Sequence, residues 1–382
     1  MTPATMKQKH LMLLLTLVPG IGPARIKAMT NAFTDVMAIP HAGVDDLMKI
    51  PGIGESLGRQ IRHFFHHPAT LDNAKRAVDE QIAGLARYNA TMVTLLDPDY
   101  PALLREIYDP PPCLFVRGTL PPKDMPGLAV VGTRYASQYG KQATAQLCKE
   151  LVTCGMAIFS GMAYGIDMAA HTATCEHGGI TIAVLASGID TIYTDPQGKV
   201  WPKILERGAL ISEEWLGSTL TPGKFPKRNR IISGISLGTL VVESDSQGGS
   251  LITAATALEQ NREVFAIPGS IFSRTSRGTN KLIQQGQAKA VMSAEDIISE
   301  LGTPLTKRHA GNTPAPETIE DETLSTIEKS IIKCMGREPI HIDALAQASA
   351  IDISTLLVHL FELEFKNAIV QQPGQFFQRK TV

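Results

Sequence analysis

Apolar positions along the chain fall into three regimes. From residue 10 to about residue 85 they recur at helical spacing, beginning with LMLLLTLV at 11–18. Two near-identical pentapeptides, VPGIG at 18–22 and IPGIG at 50–54, interrupt this stretch, and each leads into a helix-like segment, ARIKAM and ESLGRQI. From about residue 91 the period changes to short continuous apolar runs: LAVV at 128–131, MAIF at 156–159, ITIAVLA at 180–186, ALI at 209–211, TLVV at 239–242 and EVFAI at 263–267. Continuous apolar strands separated by helical segments predict an α/β fold, a doubly wound, mostly parallel sheet covered on both faces. TMVTLL at 91–96 and LFV at 114–116 add edge strands. Residues 303–322, rich in proline and small polar residues and ending in an acidic cluster, read as a linker. Beyond them, helices around 323–335 and 354–366 precede two short strands joined at Pro373-Gly374, the order of a winged helix. The expected division is therefore 1–88, an all-α domain; 89–302, the sheet domain; 303–322, the linker; and 323–382, the winged-helix domain.

The repeated pentapeptides are an internal duplication that resembles tandem helix-hairpin-helix, SAM-like motifs. Gly20 and Gly22, and Gly52 and Gly54, would form tight turns that expose backbone N–H groups at the start of the next helix. Arg25, Lys27, Arg59 and Arg62 follow the turns, where contacts to a DNA backbone would need them. Residues 1–85 hold nine Lys/Arg against seven Asp/Glu, an excess small enough that a packing or protein-docking role stays open beside DNA contact. The winged-helix segment 323–382 is balanced, six against six, and its STLLVHLFELEFK helix carries Glu362 and Glu364 against Lys366. Such a helix suits protein contact better than DNA reading.

Charge and composition then narrow the search. The 382 residues carry a formal net charge of -1, so any polyanion surface must be local. The five cysteines are odd in number and form no CxxC pair, which fits a reducing cytoplasm and argues against a disulfide framework or zinc ribbon. Lys7 and Lys9 before the apolar run resemble a signal peptide, but the run leads into the first hairpin and reads as an amphipathic helix. No stretch reaches the roughly 20 apolar residues of a membrane span.

Local positive charge peaks at KFPKRNR, residues 224–230, with four cations and no acid. Pro226 suits the first position of a helix, and Lys227, Arg228 and Arg230 would then crowd its positive end. Each would cost up to about 1 kcal/mol there, and a bound phosphate is the simplest remedy. Small residues and cations also follow the apolar strands: Gly132-Thr133-Arg134, Ser160-Gly161, and Gly248-Gly249-Ser250 opening a helix. In such sheets ligands bind beyond the carboxyl ends of the strands. Named chemistries fail: GSTLTPGKF at 217–225 is not a Walker A loop, and no GxGxxG follows a strand. An acid/base set of Asp167, His171 and Glu243 can be drawn, but a histidine near glycine loops is more often structural. Cys175 and His177 lack further metal ligands.

The ordered motifs VVGTR (130–134), FSGMAYGIDMAAH (159–171), ASGID (186–190), FPKRNRIISG (225–234), VVES with GGSLITAA (241–255) and AIPG (266–269) resemble the DNA-processing protein A family, DprA or Smf. The resemblance implies a Rossmann-like fold and sequence-independent binding of single-stranded DNA. It further implies protection of incoming DNA in natural transformation, loading of the RecA recombinase onto it, and a cytoplasmic homodimer. By position it places Gly132, Thr133, Arg134, Ser160, Gly161, Lys224, Lys227, Arg228, Asn229, Arg230, Gly248, Gly249 and Ser250 at the DNA, with double-stranded DNA as an added partner of the hairpins. On this reading the chain is no enzyme and needs neither cofactor nor metal. The alternative is a Rossmann-like nucleotide hydrolase of the phosphoribohydrolase kind, whose PGGxGTxxE pattern is matched only in part by SQGGSLITAATALE.

Overall fold

The computed structural model describes residues 3–302, 325–335, 339–366, 368–372 and 374–379. The expected linker, 303–322, lies outside the described residues, as does Pro373. Residues 1–308 form one compact unit and residues 309–382 another.

The first unit opens with five helices, α1 (Pro3–Thr16), α2 (Pro23–Ala32), α3 (Val44–Met48), α4 (Glu55–His66) and α5 (Pro68–Ala86). Both pentapeptides make the turns their glycines predict. Gly20 and Gly52 hold φ of +76° and +82°, a region L side chains rarely adopt, and Gly22 and Gly54 cap α2 and α4. The second half of α1 is not amphipathic: Leu11 to Leu15 are all buried. The helix lies between the rest of the bundle and the sheet, and Lys9 reaches across to donate to the Met92 carbonyl at 2.7 Å and pair with Asp97 at 3.2 Å. One apolar core runs from the bundle into the sheet.

The sheet has nine strands: β1 (Ala90–Thr94), β2 (Cys113–Gly118), β3 (Gly127–Val131), β4 (Ala157–Ser160), β5 (Thr181–Val184), β6 (Ala209–Ser212), β7 (Gly238–Val241), β8 (Glu263–Ala266) and β9 (Lys289–Ala290). Their order is β1-β2-β6-β5-β4-β3-β7-β8-β9. Neighbours from β6 through β9 pair in parallel, whereas β2 is antiparallel to β6 and to β1, so the two expected edge strands form one antiparallel margin. The connecting helices are α6 (Ala102–Glu106), α7 (Gln138–Thr153), α8 (Ile166–Glu176), α9 (Trp201–Arg207), α10 (Lys224–Gly234), α11 (Gly249–Glu259), α12 (Arg277–Gln284) and α13 (Ala294–Leu301).

Alternation along β3 sorts the two faces. Leu128 and Val130 enter a core with residues of α7, α8 and α13, and Ala129 and Val131 enter the opposite core with α10 and α11. The chain leaves β3 for the first face and β7 for the second, although the two strands are neighbours. Their loops therefore diverge, leaving a crevice at the switch point of the sheet.

The second unit comprises α14 (Thr326–Cys334), β10 (Ile340–His341), α15 (Ile342–Ser349), α16 (Ile353–Phe365), β11 (Ile369–Gln372) and β12 (Phe376–Arg379). Capping boxes or side-chain caps start all three helices: Ser325 with Glu328, His341, and Asp352. Strand β10, which no sequence pattern announced, completes a three-stranded sheet in the order β10-β12-β11.

Candidate nucleic-acid interface

At the switch point the loops after β3 and β7 enclose a cleft of about 330 Å³. Its lining includes Gly132, Thr133 and Arg134 after β3, Gly248, Gly249 and Ser250 at the start of α11, and Arg228 and Asn229 of α10. Eight of the thirteen central residues singled out from the sequence thus share one wall. The β3 loop cannot carry a side chain at Gly132, where a Cβ would lie 2.5 Å from Ile166. Gly249 is the reverse case: a Cβ there would meet nothing within 4 Å, so the start of α11 is bare toward the cleft. Ser250 spends its hydroxyl on Ser244 at 2.9 Å instead of capping.

A second cleft of about 240 Å³ adjoins the first and shares Arg134, Ala163, Phe225 and Arg228 with it. Its walls include Tyr164, Tyr193 and Leu220, and Gly161 lines this cleft and not the first. Between the two stands Arg134, exposed, with its guanidinium 5.1 Å from the centre of the Phe225 ring. The first cleft thus brings together open amides, Arg134 and Arg228, with two carboxylates, Asp167 and Asp245, the latter paired with Arg274 at 2.5 Å; the second is lined mostly by apolar and aromatic groups, and a stacked cation stands between them.

The basic helix answers its own charge in a way its sequence does not reveal. Helix α10 begins at Lys224, so Pro226 is its third residue, not its first. Lys224 is half-buried and pairs with Glu214 at 2.9 Å. Arg230 is buried between Glu213, at 2.5 Å, and Asp109, at 3.3 Å. Arg228 is buried as well, donating to the carbonyls of Gly161 and of Val184 (2.9 Å). Carboxylates of the same chain therefore neutralise two of the four cations of this helix, Lys224 and Arg230. Lys227 alone of the four is exposed without a carboxylate partner among the described residues. It shares its face with Arg230, three residues on, and lines a different depression of about 410 Å³ with Tyr108 and Glu259. Helical spacing divides the motif: residues 228 and 229 look into the cleft, residues 227 and 230 away from it.

The supposed acid/base set is also structural. Glu243 is buried and accepts from the Ser137 amide (2.9 Å), the Ser137 hydroxyl (2.5 Å) and the Thr275 hydroxyl (2.8 Å). Asp167 accepts from the amides of Gly161 (3.1 Å) and Ala163 (3.3 Å). Burial pushes its carboxyl upward, against the pull of nearby Arg228, and burial likewise lowers Arg228. His171 bonds Thr181 at 2.7 Å, and burial with Arg228 nearby lowers its imidazole to about 3. Ser160 donates to the Val130 carbonyl at 2.6 Å beneath the loops and does not reach the cleft. Among the described residues no group of three His, Cys, Asp or Glu side chains could hold a metal ion.

The hairpin cations divide too. Arg25 donates to the carbonyls of Gly20 (2.7 Å) and Gly52 (2.8 Å), clipping one turn to the other. Lys27 donates to the Ile107 carbonyl at 2.7 Å and ties the bundle to the sheet. Arg59 pairs with Glu55 one helical turn earlier. What the hairpins leave open are the starts of α2 and α4, where Gly22 and Gly54 have clear space around them.

With this geometry in hand, the chain can be set beside known proteins. Residues 91–302 match the model of the DNA recombination-mediator protein A family, residues 313–375 that of the DprA winged helix domain, and residues 12–65 that of a SAM-like helix-hairpin-helix tandem. The chain belongs to the DNA recombination-mediator protein A family. Protein Smf of Synechocystis is 31% identical over 95% of this chain and 96% of its own. The crystal structure of DNA processing protein A from Streptococcus pneumoniae superposes with a TM-score of 0.62 at 30% identity, covering 78% of this chain and 99% of that one. A second structure, of the Helicobacter pylori protein in a study of its single-stranded DNA binding mode, gives 0.51 at 28% identity over 56% of this chain and 97% of the other. Membership of the DNA recombination-mediator protein A family thus rests on the central sheet domain, with the helix-hairpin-helix and winged-helix additions matched separately. Among the described residues no single helix is long and apolar enough to cross a membrane.

What sequence reasoning missed is the set of carboxylates that answers the cations of α10. Glu213 and Glu214 follow β6 directly, at the same carboxyl edge as the cations, and Asp109 precedes a proline run; this proximity was the available signal.

Proposed function

We propose that the chain binds single-stranded DNA without sequence preference in the paired clefts at the switch point, and that it protects the strand and passes it to RecA in recombination. The observation that carries this reading is Arg134, exposed on the ridge over Phe225, with the bare start of α11 on one side and a tyrosine-lined pocket on the other. A backbone phosphate fits the first cleft, where amides and a cation converge. An unstacked base fits the second, where aromatic faces offer sequence-tolerant stacking. The similarity to the Helicobacter pylori protein, a binder of single-stranded DNA, supports the same ligand. We place Lys227 on the strand's path over α10, and assign Lys224, Arg228 and Arg230 to shaping the helix. The action is binding and not catalysis, because Glu243 and Asp167 are occupied by internal bonds and His171 is fully buried, with its Nδ1 bonded to Thr181. We further propose a cytoplasmic homodimer, the domain division 1–88, 89–302 and 323–382 about a linker at 303–322, and contact of the open starts of α2 and α4 with double-stranded DNA.

The test compares wild type with Arg134→Glu for binding to a fluorescent oligonucleotide, single- and double-stranded. Single-strand affinity is expected to fall about tenfold or more, as for loss of a charged hydrogen bond, with thermal stability unchanged. Equal single-strand affinity in the two proteins would sink the assignment.

A further inference from the structure

Two apolar surfaces, one on each unit, have no partner among the described residues of their own unit, and their charges are opposite. The first is a groove of about 710 Å³ formed by α1, α4, α5 and the 36–41 turn, a size typical of formed binding sites, roughly 300–1,000 Å³. Leu14, Met37, Phe65 and Leu71 contribute to its floor. Its rim is basic: Lys7 and Lys75 are exposed and carry no carboxylate partner among the described residues, and His41 and His66 stand beside them. One acid, Asp79, lines the groove and lies 3.3 Å from His10.

The second surface is the outer face of α16. Leu356, Leu360 and Leu363 point into the core of the winged helix, whereas Ile353, Leu357, Val358 and Phe361 are 45%, 47%, 58% and 71% exposed. At 3.6 residues per turn these four cover an arc of roughly 140°. Glu362 and Glu364 are exposed along it, and the lysine that ends the helix, Lys366, is tied to buried Glu328 at 2.7 Å. A nucleic-acid backbone is a poor occupant for so acidic and apolar a face. An apolar groove with a basic rim complements it in both respects.

We infer that α16 of one copy seats its Ile353–Phe361 face in the α1/α4/α5 groove of a second copy, with Glu362 and Glu364 meeting Lys7 and Lys75. Each copy carries one helix and one groove, so two copies exchange both contacts about a two-fold axis and leave neither surface open. Pairing α16 with α16 is the poorer alternative, since it brings the two acidic margins together. The contact does not depend on the DNA reading, and Arg134 and the clefts take no part in it.

The experiment uses the full chain. Nitrogen-15-labelled and unlabelled copies are mixed and treated with a zero-length carbodiimide, which joins a lysine to a touching carboxylate, and linked peptides are sorted by mass. Links of mixed isotope between Lys7 or Lys75 and Glu362 or Glu364 are expected. They should fall about tenfold or more in Leu357→Asp/Phe361→Asp, as for loss of a central interface anchor, and in Lys75→Glu, while single-strand affinity stays at the wild-type value. Restoration of links from Lys7 by combining Lys75→Glu with Glu362→Lys would add support. Absence of these links in wild type, their confinement to peptides of one isotope, or their persistence in Leu357→Asp/Phe361→Asp would each overturn the inference.

Discussion

Arg134 and Arg228 are two cations of one cleft with different tasks. Arg134 reaches solvent over an aromatic face, so replacing it costs the fold little, within about 0.5 kcal/mol for a surface site. Arg228 lies buried among carbonyls beside Asp167, and its loss removes their donor. Arg228→Met is therefore expected to destabilise the protein by about 1–3 kcal/mol, as for leaving buried carbonyls without their donor, a value chemical denaturation would measure. A stable Arg228→Met that still bound single-stranded DNA poorly would make Arg228 a direct ligand instead. His171 gives a pH signature. Its imidazole titrates at an ordinary 6.5 when unfolded and at about 3 when folded, so the unfolded chain takes up the proton first. Its share of stability is complete above pH 6.5 and falls as pH drops toward 3, by about 1.4 kcal/mol per pH unit at most. His171→Asn should flatten the denaturation midpoint between pH 6.5 and 4.5; an unchanged slope would mean that the buried ring is already protonated.

At the scale of elements, α11 is the most direct probe of the cleft. Gly249→Ala adds a methyl where no atom stands within 4 Å, and alanine favours a helix by up to about 1 kcal/mol over glycine. Stability should hold or rise, yet single-strand affinity should fall severalfold because the methyl sits where a phosphate would approach the amides; affinity equal to wild type would move the phosphate elsewhere. Elements of this kind were readable in the sequence wherever a local rule governs them. The two PGIG turns need positive φ, the continuous Val/Ile runs need burial on both faces, and Gly248-Gly249 opens a helix. Contacts were not readable in the same way. The sequence around KFPKRNR contains no acid, so its charge looked unanswered until Glu213, Glu214 and Asp109 arrived from loops 10 to 121 residues away. Arg25 and Lys27 sit where phosphate contacts would sit, and only the fold shows them donating to Gly20, Gly52 and Ile107. Strands β9 and β10, two residues each, were too short to leave a periodic trace.

For the molecule as a whole, internal neutralisation sets how binding responds to salt. If Arg134 and Lys227 are the cations that meet phosphates, the slope of log affinity against log salt should be about −1.4 per copy, from about −0.7 for each phosphate on a single strand. If all five cations of the clefts and α10 met phosphates, the same rule gives about −3.5, and a titration over a range of salt distinguishes the two. The carboxylates around α10 then carry a consequence for turnover. On the proposed reading, a chain that supplies carboxylate partners for two of these five cations would hold each stretch of strand lightly, and several copies side by side would hold it firmly, because a released segment would stay near its neighbours' clefts at high effective concentration. Such a coat would resist wholesale loss yet yield one position at a time to a competitor that advanced from an end.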